Sequence, residues 1–441
     1  MIKKIMGITL TFLFWMGLGL GIGKGSLAYS MPVIDSLIDE AMQNSPGLEA
    51  EGIKLKSLHS TLEHGWYLEN PEIGVEFYES PLSAFPSPIK NQMEIDYSLE
   101  QTFPFPGKIS SRNAVQNEQI QMGEAEVKSR KQSLVLEVKS EYYSMVQMHS
   151  LLAFNQENKN LMRKMKNIVQ KQYEFGLSKS SDIIKVENEI TNLEMDSIRI
   201  NQEFRAHKNL LETLLNGNKK SQSRNWNFDS LMLPEINWTW VQMRPLVDKS
   251  HPRLQYLQAR KKMAEAEKIA AGREFFPDFT LGGKYKDMLR SQDGVHSSEV
   301  NDYWSISASM TLPFAFWSAP KNRANQKQAA FSWQEAIANL QEEGIRIEAK
   351  AQAAYEKAKS FYNILQLSQK QFLPRLEQDL QNNLSLYQNG KGEFSSLFEA
   401  YRDRILANQS NEFTKTQYLI SVAELEESLG LSLKEIGSQN D

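Results

Sequence analysis

The chain has 441 residues, no cysteine, 50 lysines and arginines against 54 aspartates and glutamates, and a formal charge of -4. The lack of cysteine excludes disulfides, thiol catalysis, thiolate metal sites and an N-terminal lipidated cysteine. Charges are spread along the chain with no basic footprint, so nucleic acid is not an expected partner. At the start, Lys3 and Lys4 precede an apolar run from Ile5 to Ile22 and the small residues Ser26-Leu27-Ala28. That order predicts a secretory signal peptide over residues 1–28, with an uncleaved anchor as the alternative. No later stretch is apolar enough to predict a membrane-spanning helix.

From residue 33 the sequence is written twice. "NSPGLEAEGIKLKS" at 44–57 parallels "SHPRLQYLQARKKM" at 250–263, and Pro46 is as far from Pro71 as Pro252 is from Pro277. "QTFPFPGK" finds its counterpart in "MTLPFAFW", "YEFG" at 173–176 in "YQNG" at 387–390, and "LLNG" at 214–217 in "SLG" at 428–430. Landmarks in one order define a first repeat over 33–217, a linker over 218–240 carrying Trp226, Trp238 and Trp240, and a second repeat over 241–430. Residues 431–441 read as a polar tail.

Each repeat holds two strands, at about 71–80 and 93–104 and again at about 277–288 and 303–313. In the first, Met93, Ile95, Tyr97, Leu99 and Phe103 alternate with Glu94, Asp96, Ser98, Glu100 and Thr102. In the second, Trp304, Ile306, Ala308, Met310 and Leu312 alternate with Ser305, Ser307, Ser309 and Thr311. Period-two alternation gives one apolar and one polar face. Ile73, Val75 and Phe77, and Phe279, Leu281 and Tyr285, mark the partner strands of two hairpins. Strands of about ten residues with aromatic ends suit a membrane barrel. Four strands cannot close one, and lipid does not tolerate open edges, so a barrel of this kind requires more than one chain.

Beyond each hairpin lies a helical stretch of unusual length, about 108–217 and about 320–430. The outward limbs could each extend roughly 100 Å, and Pro374 should kink or break the second. On the first return limb Ile183, Val186, Ile190, Leu193, Ser197, Ile200, Phe204, His207, Leu211 and Leu214 follow coiled-coil spacing. The second return limb puts Asn408, Glu412 and Lys415 where apolar residues are expected, which assigns it to water or to another subunit. Pro104, Pro106, Gly107 and Pro313 stand where strand gives way to helix, and proline suits that seam because it cannot donate to a ladder and presets a first helical turn.

The duplicated layout, the "TFPFPGK" and "TLPF" junctions, and "YEFGLSKSSD" and "YQNGKGEF" at the helix turns resemble the outer-membrane efflux protein family, the TolC-like channels. The "PFPGK" junction is similar to the branch serving heavy-metal exporters of the resistance-nodulation-division type. The resemblance covers about residues 33–430. It implies a mainly α chain with a membrane β-barrel portion, a homotrimer whose strands form one barrel in outer-membrane lipid, and a helical barrel in the periplasm. It further implies a passive exit duct working with a periplasmic adaptor and an inner-membrane pump of that resistance-nodulation-division type. Gly176, Leu177, Gly390 and Lys391 then become adaptor-contacting tips. Asp182, Tyr387 and Glu399 match the periplasmic gate, while Gly392 and Ser396 stand where such channels often have arginine and aspartate, which leaves the salt bridge of the latch either missing or moved to Lys391 or Arg402.

No constellation for an enzyme is present, and no cofactor or metal site is expected. His59, His64, His149, His207, His251 and His296 form no ligating pair. Met145, Met148, Met162 and Met165 cluster in a way that copper could use, but methionine at helical spacing is more often core filling. The second functional reading is a periplasmic adaptor or tether built on long helical hairpins, which leaves the alternating strands without a use.

Overall fold

The computed structural model describes residues 32–78, 82, 94–216, 226, 228, 233–288 and 301–438. The leader expected over 1–28, most of both hairpin loops, Met93, His296 and much of the polar part of the linker lie outside the described residues. The first repeat runs α1 (Pro32–Asn44), α2 (Pro46–His64), β1 (Glu72–Tyr78), β2 (Glu94–Phe103), α3 (Lys108–Glu174) and α4 (Ser180–Asn216). The second runs α5 (Trp240–Ser250), α6 (Pro252–Arg273), β3 (Phe279–Met288), β4 (Tyr303–Met310), α7 (Ala319–Leu367), α8 (Leu373–Gln388) and α9 (Phe394–Leu429), with α10 (Leu433–Ser438) after it. Helices α2 and α6 start alike: proline takes the first helical position, and the preceding side chain, Ser45 or His251, accepts a backbone N–H at 3.3 or 3.2 Å.

Two of the three hydrophobic cores are copies of each other. One collects Leu37 and Ala41 of α1, Leu134, Val138, Tyr142 and Met145 of α3, and Leu211 and Leu215 of α4. The other collects Met243 and Val247 of α5, Ile347, Ala351, Tyr355 and Ala358 of α7, and Leu425 and Leu429 of α9. The spacings are identical, helix by helix. The linker packs on both: Trp226 and Phe228 lie against the first core, Trp238 and Trp240 against the second, and Leu233 against each. The third core joins the repeats at the far end of the long helices, with Met162, Met165 and Val169 of α3, Val186 and Leu193 of α4, Leu380 and Tyr387 of α8, and Phe394, Leu397 and Tyr401 of α9.

Three sequence expectations take a more definite form here. The second return limb, α9, lies against α3, α7 and α8 with Asn411, Thr414 and Thr416 buried, while Asn408, Glu412 and Lys415 are half-buried and Leu406 and Phe413 are exposed. A helix packed on several sides needs small residues more than a two-helix stripe, so its polar positions are close-packing positions. The interruption expected at Pro374 takes the form of a change of helix type and not of a helix end. A π-helical turn over Ser368–Phe372 lies just before it, widening the ladder where proline withdraws a donor. The tail is not uniformly polar, because Leu433 and Ile436 of α10 are buried in the second core and Lys434 reaches Asp35 at 2.7 Å.

The seam of α4 packs on α3 with its polar positions satisfied. Ser197 donates to Asn155 at 2.8 Å, and His207 Nδ1 lies 2.8 Å from Glu141. The four methionines are also packed: Met145 and Met148 are buried along α3, and Met162 and Met165 sit in the far core. No group of three or more histidines, aspartates or glutamates placed to hold a metal ion occurs among the described residues.

Candidate functional site

The strands form one antiparallel sheet in the order β1-β2-β3-β4. Registers such as Glu76↔Asp96, Asp96↔Lys286 and Lys284↔Ser305 place Glu76, Glu94, Asp96, Glu100, Lys284 and Lys286 on one face, while Asp287, opposite Ile95, is on the other. Lys284 Nζ is 2.8 Å from Asp96 and 3.3 Å from Glu76, and Lys286 Nζ is 2.5 Å from Glu94. The opposite face carries Ile73, Val75, Tyr97, Leu99, Leu281, Tyr285, Trp304 and Ile306, all exposed, Ile73 at 80% and Trp304 at 76%. β1 and β4 are open edges. An apolar surface of this extent is an interaction face, and its polar reverse is suited to water. No helix of the described residues is long and apolar enough to cross a membrane.

At the strand-to-helix junction, Gly107 adopts φ 94°, and a Cβ there would collide with the Arg273 guanidinium. Lys108, 3% exposed, pairs with Asp278 at 2.9 Å and Glu274 at 3.4 Å. Asp278 also accepts the Phe105 N–H at 2.9 Å, and Phe105 stacks on Phe276 with centroids 4.5 Å apart. The end of β2 is thereby fastened to the start of β3, one repeat to the other. At the second junction the Pro313 carbonyl accepts from Asn322 at 3.0 Å.

The two helical tips share one turn. Gly176 has φ 71° and Gly390 φ 68°. Leu177 N–H returns to the Gln172 carbonyl at 2.8 Å, and Lys391 N–H to Leu386 at 2.9 Å. This is the closing bond of a Schellman-type helix end, which a left-handed glycine permits. Phe175 and Leu177 project from the first tip, exposed.

Two of the three gate candidates come together. Tyr387 is buried, its ring 6.0 Å from Phe394 and its hydroxyl 3.4 Å from Ser178 Oγ. Ser178 Oγ donates to Asp182 at 3.1 Å, and Lys179 N–H caps the same carboxylate at 3.2 Å. Tyr387, Ser178 and Asp182 therefore bridge the two tips. Burial first, then the charge of Asp182, holds the Tyr387 phenol above its ordinary pKa. Glu399 stands apart, exposed on α9. Gly392 has a local cause, since a Cβ there would lie 3.0 Å from the Tyr387 nitrogen. Neither Lys391 nor Arg402 has an ion-pair partner among the described residues; Arg404 does, reaching Glu377 at 2.6 Å and Glu157 at 3.2 Å, and so ties α9 to α8 and α3. Sequence reasoning passed over Arg404 and Ser178, which no repeat landmark marks.

Residues 245–431 match the outer membrane efflux protein family. The match spans most of the second repeat. The first repeat lies outside the match but has the same strands, helices and core spacing, and 91% of the chain has the fold of solved outer-membrane channels. It superposes on the outer-membrane channel OprN with a TM-score of 0.76 at 14% identity, covering 91% of both chains. For the outer membrane protein VceC of Vibrio cholerae the score is 0.74 at 17% identity, over 91% of this chain and 96% of that one. For the MtrE outer membrane channel of Neisseria gonorrhoeae, in its open state, it is 0.72 at 18%, over 91% and 90%. No curated protein matches the sequence. The family named by the junctions and tips of the sequence is the one that residues 245–431 match.

Proposed function

We propose that this outer membrane efflux protein is the outer-membrane channel of a tripartite efflux system, a passive exit duct and not an enzyme. One observation carries the proposal: a four-stranded sheet with one face exposed and apolar, the other charged and hydroxylic, joined directly to helices long enough to cross the periplasm. Such a sheet is stable in lipid only when its edges are closed. Three copies close them as a twelve-stranded barrel, with the apolar face to lipid and the polar face to the lumen, and the long helices continue the duct. The tips at Gly176, Leu177, Gly390 and Lys391 meet a periplasmic adaptor, which links the channel to an inner-membrane pump of the resistance-nodulation-division type. Asp182, Tyr387 and Glu399 line the periplasmic gate. The test is cell fractionation of a wild-type strain beside a deletion strain challenged with metals, dyes and antibiotics. Retention in outer membranes after carbonate extraction, with sensitivity in the deletion strain, supports the duct; a protein that washes off contradicts it.

A further inference from the structure

The far core stands apart from the two repeat cores. Between them, residues 147–160 of α3, 194–203 of α4, 363–379 across the π-helical turn from α7 to α8, and 406–417 of α9 enter none of the three. The side chains buried in this belt are mostly polar, among them Asn155 and Asn158 of α3 and Asn411, Thr414 and Thr416 of α9. Ser197 of α4 accepts from Lys159 at 3.0 Å as it donates to Asn155, whose Nδ2 is buried without a partner. Ser368 Oγ donates to Asn411 Oδ1 at 3.1 Å. Ser368 also opens the π-helical turn, which buries none of its residues, so the change of helix type falls inside the belt.

Beyond the belt the four helices are bound to one another. The far core draws on α3, α4, α8 and α9 together. The Tyr401 hydroxyl donates to the Asn158 carbonyl at 3.1 Å, Arg404 ties α9 to both α3 and α8, and Ser178 bridges Tyr387 to Asp182. Apolar packing of this kind moves as a block, because separating interdigitated side chains loses their contacts together. A polar belt shears more readily. Its hydrogen bonds exchange partners or take up water, and a π-helical turn absorbs a change of backbone angle that a regular helix resists.

We propose that the belt is a hinge about which the tip ends of α3, α4, α8 and α9 swing as one body. The periplasmic end then opens by a tilt of the whole four-helix tip, with α8 and α9 staying on α3 and α4. Arg404 is a positioning residue in this motion, since it keeps the block intact. The inference rests on the channel reading and assigns the motion of its gate.

The chain contains no cysteine, so introduced pairs are the only thiols. In the full-length protein, Glu157→Cys/Arg404→Cys coupled by a short bifunctional maleimide fixes α9 to α3 within the tip. Ser368→Cys/Asn411→Cys, oxidised to a disulfide, staples the belt. In planar bilayers the tip cross-link should leave the rate of opening transitions as in the uncoupled variant, whereas the belt staple should lower it severalfold and reduction should restore it. Closure by the tip cross-link, or opening untouched by the belt staple, would overturn the hinge. Hydrogen exchange in detergent tests it without reference to conductance: amides around Asn155, Ser368 and Asn411 should exchange severalfold faster than those of the flanking cores, and equal protection would overturn it as well. A protein that stays silent in bilayers yet shows the fast belt would refute the channel reading and leave the hinge standing.

Discussion

His251 caps α6 through its unprotonated Nδ1, which accepts the Arg253 N–H. Burial, reinforced by the charge of Lys350, lowers its pKa to about 4. The folded protein therefore binds this proton less readily than the unfolded chain, whose histidine titrates near 6.5. Its contribution is present above about pH 6.5 and is lost as pH falls toward about 4. His251→Asn keeps a cap without a titrating group, so urea titrations should show a flatter loss of stability across that window than in the parent; an equally steep loss would remove His251 from the account. At the tips, a side chain at Gly176 or Gly390 meets open space but must accept positive φ, at roughly 1–2 kcal/mol per position. Gly176→Val with Gly390→Val should leave the assembled channel intact and abolish efflux, read as resistance of complemented cells. Undiminished resistance would take the tips out of adaptor docking. For the gate, acids at a low-dielectric constriction attract cations, so Asp182→Asn with Glu399→Gln should change single-channel conductance and weaken cation preference. If both stay as in the parent, the constriction lies elsewhere.

Among elements, the junction is the most constrained. Lys108 is nearly devoid of solvent contact, and Asp278 serves both its charge and the Phe105 N–H. Removing one partner of a buried pair strands the other, at roughly 3–5 kcal/mol. Asp278 is a quarter exposed, so Asp278→Ala should cost about 3 kcal/mol in denaturant titrations followed by helical circular dichroism; a cost within error of zero would mean water replaces the carboxylate. This pair was not legible in the sequence. Pro104 and Pro313 align by their shared Pro-Phe, yet Lys108 and Lys321 align by core spacing, and the difference is a short insertion around Phe316, Trp317 and Ser318 that only the cores expose. The strands were legible, since period-two alternation follows directly from the pleat. The burial of α9 was not, because Asn411, Thr414 and Thr416 are polar by type and fill space by size. Tyr387 and Asp182 were recognisable from the tip motif, but Ser178 between them was not, since a serine two residues after a turn glycine carries no signal of its own.

For the whole molecule, duplication explains the architecture. Two similar repeats, each with a core of three helices, share one sheet, and the shared sheet ends in two open edges. Every exposed apolar residue on that sheet is a liability in water and an asset in lipid, and each open edge is a demand for a further strand. On the proposed reading the chain is incomplete as a single copy, and a duct depends on assembly. The most direct measurement is conductance of the purified full-length protein in planar lipid bilayers. The account predicts discrete, long-lived steps from an assembled oligomer; a monomer in mild detergent that leaves the bilayer silent would contradict it.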